Sequence, residues 1–436
     1  MENRELIPNG DFSAGKIGAL PDGWTIHAPY PFLMPVFKMA RKDNSKVLLA
    51  AGNGTPDCMG WISNSFQVEA GKTFSLKVRF KASKNLNPQF SLLFGFYQEK
   101  KFNDGIFKFK KLDNGWIEGE NRFLVPGEGT VPADVRIYFR YSDTGKVWID
   151  GISLTECEPV KPRYVRVACT DGKTDIDGWS KVLDTAGKAK TDVIVLPETF
   201  NGTAAEPIDG PSATLMSVKA KEHGMYVAGS FRCLGGNPER EQNVCLLFDR
   251  QGKEVGRYYK NHPWTPEAFE GVTPGTEVPV FDTDFGRVGL MICYDIWFTD
   301  VTELLALKGA EIILFMCEGY YHSLLPARTA DNGVRMVCSS LWPGCGIWET
   351  TGGEARNPNA DELSYWGRPV SFKDVVEEKI GDVGMLSVTL DLSQTLSPGT
   401  YAGPLDSAPG GRRNRREQKQ LLYPEIIREL NRWHDE

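Results

Sequence analysis

A cysteine stands at the junction between an apolar strand and a following helix in the second half of the sequence. The strand, residues 288–292, leads directly into Cys293. A thiol at such a turn lies near backbone N–H groups and the positive end of the helix dipole, which favour its ionised form. A buried cysteine is more often inert packing. Cys293 is therefore a candidate nucleophile only if suitable partners accompany it.

Two other strand ends carry a charged side chain. Glu198 follows the apolar strand 193–196, and Lys260 follows the strand 255–259. Taken singly, Glu198 is equally compatible with a helix N-cap or a loop salt bridge, and Lys260 with a solvated surface lysine. A thiol, a carboxylate and an ammonium are, however, the groups that amide hydrolysis needs: a nucleophile, a proton carrier and positive charge for the oxyanion.

Five segments in chain order carry a family resemblance: 197–198, 260–267, 271–275, 289–295 and 328–332. They resemble the nitrilase superfamily, the carbon–nitrogen hydrolases that include amidases, N-carbamoyl amidohydrolases and nitrilases. The resemblance covers most of residues 163–430 and implies a four-layer αββα sandwich. It also implies a triad of Glu198, Lys260 and Cys293, with a second glutamate at Glu267 or, less favoured, at Glu270.

The resemblance gives each of these side chains a role. Glu198 is expected to act as general base and Cys293 as nucleophile. Lys260 and the backbone N–H of Tyr294 are expected to stabilise the oxyanion. Glu267 would orient Lys260. No cofactor is expected for catalysis.

The segments that line the pocket in this family differ here from common patterns. They contain polar and aromatic residues, each of which is also compatible with core packing or an ordinary surface position. Asp295 and Asn332 are predicted to be scaffold residues near the nucleophile turn, although ordinary turn and cap hydrogen bonds are as probable. The predicted pocket residues are Trp297, Glu318, Tyr320, Tyr321 and His322.

The chain length and the pattern of predicted strands and helices indicate two domains. The chain has 436 residues, 41% of them hydrophobic and 25% charged, which allows two or three globular units. Up to about residue 158, short alternating runs between turns predict antiparallel strands. From Tyr164 onward, strands alternate with helices predicted over 178–190, 211–223 and 298–308, which is typical of a layered α/β domain. We expect an all-β sandwich over 1–158 and the carbon–nitrogen hydrolase domain, with a C-terminal arm, over 159–436.

The N-terminal part resembles the carbohydrate-binding jelly rolls of the galactose-binding-like class. The segments 9–12, 68–74 and 147–154 carry this resemblance, together with Trp24. It implies a glycan ligand and a structural calcium ion, for which Asp11 and Asp150 are candidate ligands. Trp61, Trp116 and Tyr97 are candidates for a sugar-stacking platform, although aromatic residues on sandwich strands are more often core or interdomain contacts.

Charge and cysteine content exclude several classes of function. The net charge is −7, from 50 basic and 57 acidic residues, so no overall basic field attracts nucleic acid or an anionic membrane. No apolar run is long enough for a membrane span. Nine cysteines without a CxxC pair argue against a zinc site and a disulfide framework. No signal peptide is recognisable, so the expected location is cytoplasmic, or extracytoplasmic if a signal peptide has been removed.

Helical periodicity predicts a self-associating surface. Members of the resembled family pair through the helices that follow the base and nucleophile strands, here 211–223 and 298–308. In the second helix, Phe298, Val301, Leu304 and Leu305 share one apolar stripe. We expect a homodimer or a larger assembly, locked by the arm at 423–433. The alternative is that the layered fold covers both faces within one chain.

Three hypotheses follow for function. The first is a thiol-dependent hydrolase of a non-peptide carbon–nitrogen bond, acting on a small amide or carbamoyl substrate through a cysteine thioester. The second is a glycan-binding protein with a degenerate hydrolase domain. The third is an amide-forming acyltransferase that uses the same thioester.

Overall fold

The computed structural model describes residues 4–106, 109–234, 240–319, 323–350, 352–355 and 372–393. These residues form two compact units that divide between Lys161 and Pro162. Within the described ranges, no helix is both long and apolar enough to cross a membrane.

The N-terminal unit consists of two antiparallel sheets around a shared core. Its described elements are β1 (Thr25–His27), a 3₁₀ turn (Pro31–Leu33), β2 (Val36–Lys42), β3 (Ser45–Ala51), β4 (Met59–Glu69), β5 (Thr73–Ala82), α1 (Pro88–Ser91), β6 (Leu92–Gln98), β7 (Lys101–Ile106), β8 (Phe109–Lys111), β9 (Ile117–Leu124), β10 (Thr130–Arg140) and β11 (Lys146–Glu156). One sheet has the order β1-β4-β10-β6-β7, and the other has the order β2-β3-β11-β5-β9-β8.

Residue alternation along the strands explains how the two sheets pack. On β5, Leu76, Val78 and Phe80 enter the shared core, whereas Lys77 and Arg79 between them face outward. This period of two is the signature of a sheet with one buried face. The predicted antiparallel β-structure of this region is confirmed, and its finer assignment as a jelly roll remains a prediction.

The second unit alternates strands with helices. Its described elements are β12 (Tyr164–Asp171), α2 (Ile176–Lys188), β13 (Val193–Val195), β14 (Glu206–Pro207), α3 (Pro211–His223), β15 (Tyr226–Leu234), β16 (Glu241–Phe248), β17 (Glu254–Tyr259), α4 (Thr265–Phe269), β18 (Val280–Asp282), β19 (Arg287–Ile292), a 3₁₀ helix (Cys293–Trp297), α5 (Thr299–Leu307), β20 (Ile312–Cys317), α6 (Leu324–Asn332), β21 (Arg335–Ser340), β22 (Gly346–Trp348), β23 (Lys373–Ile380) and β24 (Val383–Asp391).

The strands of this unit form two halves that are joined at one point. The first half contains β17, β16, β15, β13, β12, β24 and β23, and the second contains β18, β19, β20, β21 and β22. One residue pair, Asp171 with Ser340, links β12 to β21. On β13, Val193 and Val195 join a core shared with the second half, while Ile194 packs in the core formed with α2 and α3. One half of the sheet is thus buried on both faces.

The outer face of the second half is covered by α5. A Cβ added to Gly289 on β19 would lie 2.7 Å from a methyl carbon of Leu305 on α5, so glycine permits this close packing. The hydroxyl of Thr302 also meets the sulfur of Met291 at 3.4 Å. Helices therefore lie on both outer faces, which confirms the predicted α/β class.

Helix prediction was accurate where the local signals were clear. The predicted helix Pro211–His223 has the same bounds in the structure and ends at Gly224 in the left-handed region (φ 63°). The predicted apolar stripe of 298–308, however, divides between two environments. Val301 and Leu305 are buried in the chain's own core, whereas Phe298 and Leu304 are exposed. The predicted arm at 423–433 lies outside the described residues.

Candidate active site

Three strand ends deliver the three predicted reactive side chains. Glu198 follows β13, Lys260 follows β17 and Cys293 follows β19. All three are buried, with exposed fractions of 4%, 1% and 8% respectively. Charged side chains almost never occupy such positions unless they are paired. Their partners therefore decide what the site can do.

The Cys293 turn has an unusual backbone conformation. Cys293 adopts φ 42°, in the left-handed region that residues with a side chain rarely enter. Thr199, the neighbour of Glu198, does so as well, with φ 45°. Such conformations persist only where the surrounding structure enforces them, and they concentrate at functional sites. Cys293 is the first residue of a short 3₁₀ helix, and the regular helix α5 begins only at Thr299.

Asp295 holds the nucleophile turn in place. Its Oδ2 accepts hydrogen bonds from the Ile292 N–H at 3.0 Å and the Tyr258 hydroxyl at 2.7 Å, and its Oδ1 accepts one from the His262 N–H at 2.9 Å. The carboxylate thereby ties the end of β19 to both sides of Lys260. Complete burial raises its pKa to about 6, even though these donors act in the opposite direction. These contacts agree with the predicted scaffold role.

Lys260 lies between two buried carboxylates. Its Nζ is 2.8 Å from Glu198 Oε1 and 2.5 Å from Glu267 Oε2. Burial opposes the charge on Lys260, but the charges of Glu198, Cys293 and Glu267 outweigh it and raise the lysine pKa. Burial would likewise raise the pKa of Glu267, but Lys260 and several hydrogen-bond donors lower it. The lysine is therefore held as an ammonium, within electrostatic reach of the Cys293 sulfur.

Of the two candidates for the second glutamate, Glu267 is the one that contacts Lys260. It lies on α4 and accepts the Trp264 N–H at 2.8 Å, which fixes the carboxylate against Lys260. Glu270, the alternative in the sequence, instead binds Arg232 at 2.6 Å.

Asn243 is a member of the cluster that the sequence analysis missed. It lies on β16, and its Nδ2 donates to Glu198 Oε1 at 2.8 Å and to Glu267 Oε1 at 3.1 Å. One signal in the sequence could have revealed it, because Asn243 is a polar residue directly before the apolar run 244–248 of a buried strand.

Comparison with known proteins finds a matching family profile and several relatives. The sequence profile of the carbon–nitrogen hydrolase family matches residues 165–367. The omega-amidase NIT2-B of Xenopus laevis is 30% identical over 209 residues, which cover 42% of this chain and 70% of that protein.

The chain belongs to the carbon–nitrogen hydrolase family. A second relative, the omega-amidase NIT2-A of the same organism, is 28% identical over 264 residues, covering 54% of the hydrolase and 85% of that protein. The crystal structure of an amidase from Nesterenkonia sp. matches with 20% identity and a TM-score of 0.43, over 53% of the hydrolase and 92% of that chain. The protein is accordingly an enzyme of the class that hydrolyses carbon–nitrogen bonds other than peptide bonds.

The predicted oxyanion donor Tyr294 and two of the predicted pocket residues lie near the buried cluster of Glu198, Lys260 and Cys293. Tyr294 follows the nucleophile, and its ring centroid is 6.5 Å from that of Trp297, which is half exposed. Glu318 has an exposed side chain, but its backbone N–H donates to Glu198 Oε2 at 3.1 Å. Tyr320, Tyr321 and His322 lie outside the described residues.

Asn332, the other predicted scaffold residue, makes local contacts. Its Nδ2 donates to the Arg328 carbonyl at 2.9 Å and to Asp331 at 2.7 Å, both near the end of α6. Arg328 in turn donates to the Ile296 carbonyl at 3.2 Å. Asn332 therefore acts on the nucleophile turn only through its neighbours.

The predicted calcium ligands lie in the N-terminal unit. Asp150 binds Arg79 at 3.0 Å, and Asp11 Oδ1 accepts the backbone N–H and the hydroxyl of Ser13. A carboxylate already paired with a guanidinium fits a calcium site poorly. Among the described residues, the acidic group with metal-like spacing lies elsewhere, on α2 and α3, where Lys219 binds its carboxylates. The calcium site at Asp11 and Asp150 therefore stays a prediction.

Two of the three candidate rings of the sugar-stacking platform, Tyr97 and Trp116, are buried, as the alternative of core packing predicts. Tyr97 is 1% exposed and hydrogen-bonds Tyr138, while Trp116 is buried beneath Arg79 and Lys81. Neither ring offers a free face, because neighbouring side chains cover both.

Proposed function

We propose that this hydrolase cleaves a small amide through a thioester on Cys293. The observation that carries the proposal is the buried ammonium of Lys260, held by Glu198 and Glu267 within electrostatic reach of the Cys293 sulfur.

The proposed reaction begins at the thiol. Glu198 takes the proton of Cys293, and the sulfur attacks the amide carbonyl, which forms a C–S bond and an oxyanion. An ammonium has three N–H donors, and two of those on Lys260 are directed to Glu198 and Glu267, so the third is available to the oxyanion. The backbone N–H of Tyr294 is the second proposed donor.

Collapse of this intermediate breaks the C–N bond. Glu198 returns its proton to the leaving amine, and the acyl group stays on Cys293 as a thioester. Glu198 then removes a proton from water, which attacks the thioester and releases a carboxylic acid and the free thiol. The step consumes one water and needs no redox partner.

The printed names of the relatives suggest a substrate class. Because the two Xenopus laevis relatives are called omega-amidases, we propose a terminal carboxamide as the substrate, in preference to a carbamoyl group or a nitrile. The acyltransferase alternative uses the same thioester, and a panel of ordinary amines distinguishes it, because a transferase converts the acyl group mainly to the new amide and a hydrolase mainly to the free acid.

Two variants and one matched control test the assignment. We expect Cys293→Ala to abolish ammonia release from acetamide, propionamide and succinamate while the fold persists. We expect Glu198→Gln to lower the rate about 10²-fold or more, because the base is lost and the shape is kept. Cys233→Ala is the control, since burial raises the pKa of that thiol to about 11 and Cys233 packs in the core formed with α2 and α3. Unchanged turnover in Cys293→Ala overturns the proposal.

For the N-terminal unit we propose a glycan-binding jelly roll. A cavity of about 1020 Å³ supports this, lined by Lys77, Arg79, Glu118 and Asp150 among others, since charged planar groups and carboxylates hydrogen-bond sugar hydroxyls well. Retardation of the protein in polysaccharide gels, lost in Arg79→Ala and kept in Arg122→Ala, tests the proposal. Equal migration with and without polysaccharide refutes it.

We further propose a homodimer formed through α5. The exposed side chains of Phe298 and Leu304 support this, because they extend the apolar face beyond what the chain's own core covers. Light scattering at micromolar concentration checks the mass. We expect Leu304→Glu to shift a dimer to monomer, and a strictly monomeric wild-type protein contradicts the proposal.

A further inference from the structure

The position of Asn243 relative to the charged cluster is the starting point. The residue is 1% exposed, and its backbone carbonyl accepts the Lys260 N–H at 2.9 Å. Its side chain donates to both Glu198 and Glu267. Asn243 therefore contacts all three charged members of the cluster, although it carries no charge itself.

The hydrogen bonds of Glu198 differ between its two oxygens. Oε1 accepts from Lys260 Nζ and from Asn243 Nδ2, both at 2.8 Å. Oε2 accepts one hydrogen bond among the described contacts, from the Glu318 N–H at 3.1 Å. A carboxylate oxygen has about two lone-pair sites. Oε1 is thus saturated, and Oε2 keeps a lone pair for a proton.

The amide of Asn243 can have only one orientation in this environment. If its oxygen and nitrogen were exchanged, the oxygen would face two carboxylate oxygens and lose both hydrogen bonds. In the orientation present, Oδ1 has no donor among the described residues. A buried acceptor without a donor is unfavourable, so the two charge-assisted bonds of Nδ2 determine the arrangement.

We propose that Asn243 is a positioning residue that makes Oε2 of Glu198 the proton-transferring oxygen. By occupying Oε1 together with Lys260, it fixes the rotation of the carboxylate and directs the remaining lone pair toward the reacting thiol and water. Its N–H also stabilises the ionised form of Glu198, which the base role requires. The inference rests on the proposed function, because it refines the base step of that mechanism.

The test uses the full chain and the fastest of three probes, acetamide, propionamide and succinamate. Asn243→Leu keeps the approximate volume and removes the donor. We expect kcat to fall about 10- to 100-fold. We expect the acid limb of the kcat/KM profile to move to higher pH by about one unit, because loss of the donor favours the protonated carboxyl. Asn243→Thr keeps one donor, so its limb should lie between those of the wild type and the Leu variant.

Asn64→Leu is the matched control for structural effects. Asn64 is also buried with Oδ1 lacking a donor, but its Nδ2 binds two backbone carbonyls in the N-terminal unit. Asn64→Leu should lower the stability of the protein without moving the acid limb of the kcat/KM profile.

The outcomes separate this inference from the proposed function. An unmoved acid limb in both Asn243 variants overturns the positioning role, even if the rate falls. If Asn243→Leu does not fold, Asn243→Thr decides alone. Should Cys293→Ala keep its activity, the proposed function itself fails, whereas an inactive Cys293→Ala beside unaltered Asn243 variants refutes only the present inference.

Discussion

Lys260→Met removes a charge that two buried carboxylates require. The substitution keeps the approximate length of the side chain, but it leaves Glu198 and Glu267 without a cation and bridged by a single amide. Loss of one partner from a buried ion pair costs about 3–5 kcal/mol, mainly because the remaining charge stays desolvated. We expect the free energy of unfolding at neutral pH to fall by about that amount.

The stability difference between the wild type and Lys260→Met should depend on pH in a defined direction. In the wild type, the pKa of Glu267 is lowered from its ordinary 4.5, so its stabilising contribution is present above that value and is lost as pH falls through the lower folded value. In Lys260→Met, burial without the cation raises the folded pKa of Glu267. Lowering the pH then protonates the unpaired buried carboxyl group and stabilises the variant, whereas in the wild type it removes the stabilising ion pair. The stability difference should shrink between about pH 7 and about pH 4.

Lys219→Met is the matched control for this experiment. Lys219 also binds two carboxylates, at 2.6 Å from Asp184 and 2.9 Å from Glu222, but its acidic partners are solvent-accessible. Exposed pairs contribute about 0–1 kcal/mol, so this variant should unfold almost like the wild type. Urea unfolding followed by far-UV circular dichroism measures all three proteins at both pH values. A Lys260→Met protein within about 1 kcal/mol of the wild type at neutral pH, or a difference that does not change with pH, refutes the reasoning.

Two further predictions concern the frame of the site. Burial raises the pKa of Asp295 from 3.8 to about 6, so its contribution to stability is complete below 3.8 and is lost as pH rises through 6. The side chain in Asp295→Asn does not titrate. Between about pH 4 and pH 7 the free energy of unfolding of this variant should therefore rise by up to about 3 kcal/mol relative to that of the wild type. A difference in urea unfolding that stays constant over this range contradicts the prediction. Gly289→Ala places a methyl group 2.7 Å from Leu305 and should destabilise the protein by about 1–3 kcal/mol, through overpacking of α5 against β19. An unchanged midpoint of urea unfolding would contradict this, because it would show that α5 can shift away from β19 without loss of stability.

Glu198, Lys260 and Cys293 could be placed after strands from the sequence because the signals for those strands are local. Their catalytic roles remain predictions. Cys293 directly follows the apolar strand β19, Glu198 lies shortly after the apolar strand β13, and Lys260 follows the mixed strand β17. The carboxyl ends of parallel strands meet at one edge of a sheet. The helix Pro211–His223 was equally predictable, since proline begins it and glycine ends it. The resemblance to one family then supplied Glu267, which local spacing alone could not distinguish from Glu270.

What the sequence did not predict depends on contacts between distant residues. Asn243 joins the cluster because β16 pairs with β17 in a register that sets its carbonyl opposite Lys260. The sequence is compatible with an exposed Tyr97, but strand pairing brings its ring beside Tyr138, where the two hydroxyls form a buried hydrogen bond. Likewise, the packing of α5 against the second half of the sheet decides that Val301 and Leu305 are buried and that Phe298 and Leu304 are exposed. These outcomes are decided by tertiary packing, which residue periodicity does not encode.

The most direct test of the central claim is to trap the acyl group on the enzyme. The protein is mixed with propionamide or succinamate, quenched in acid during the first turnovers, and its intact mass and peptide masses are measured. We predict a mass increase equal to the acyl group, located on the peptide that contains Cys293 and absent from Cys293→Ala. Turnover accompanied by an adduct on a different residue, or by wild-type ammonia release from Cys293→Ala, would contradict the account.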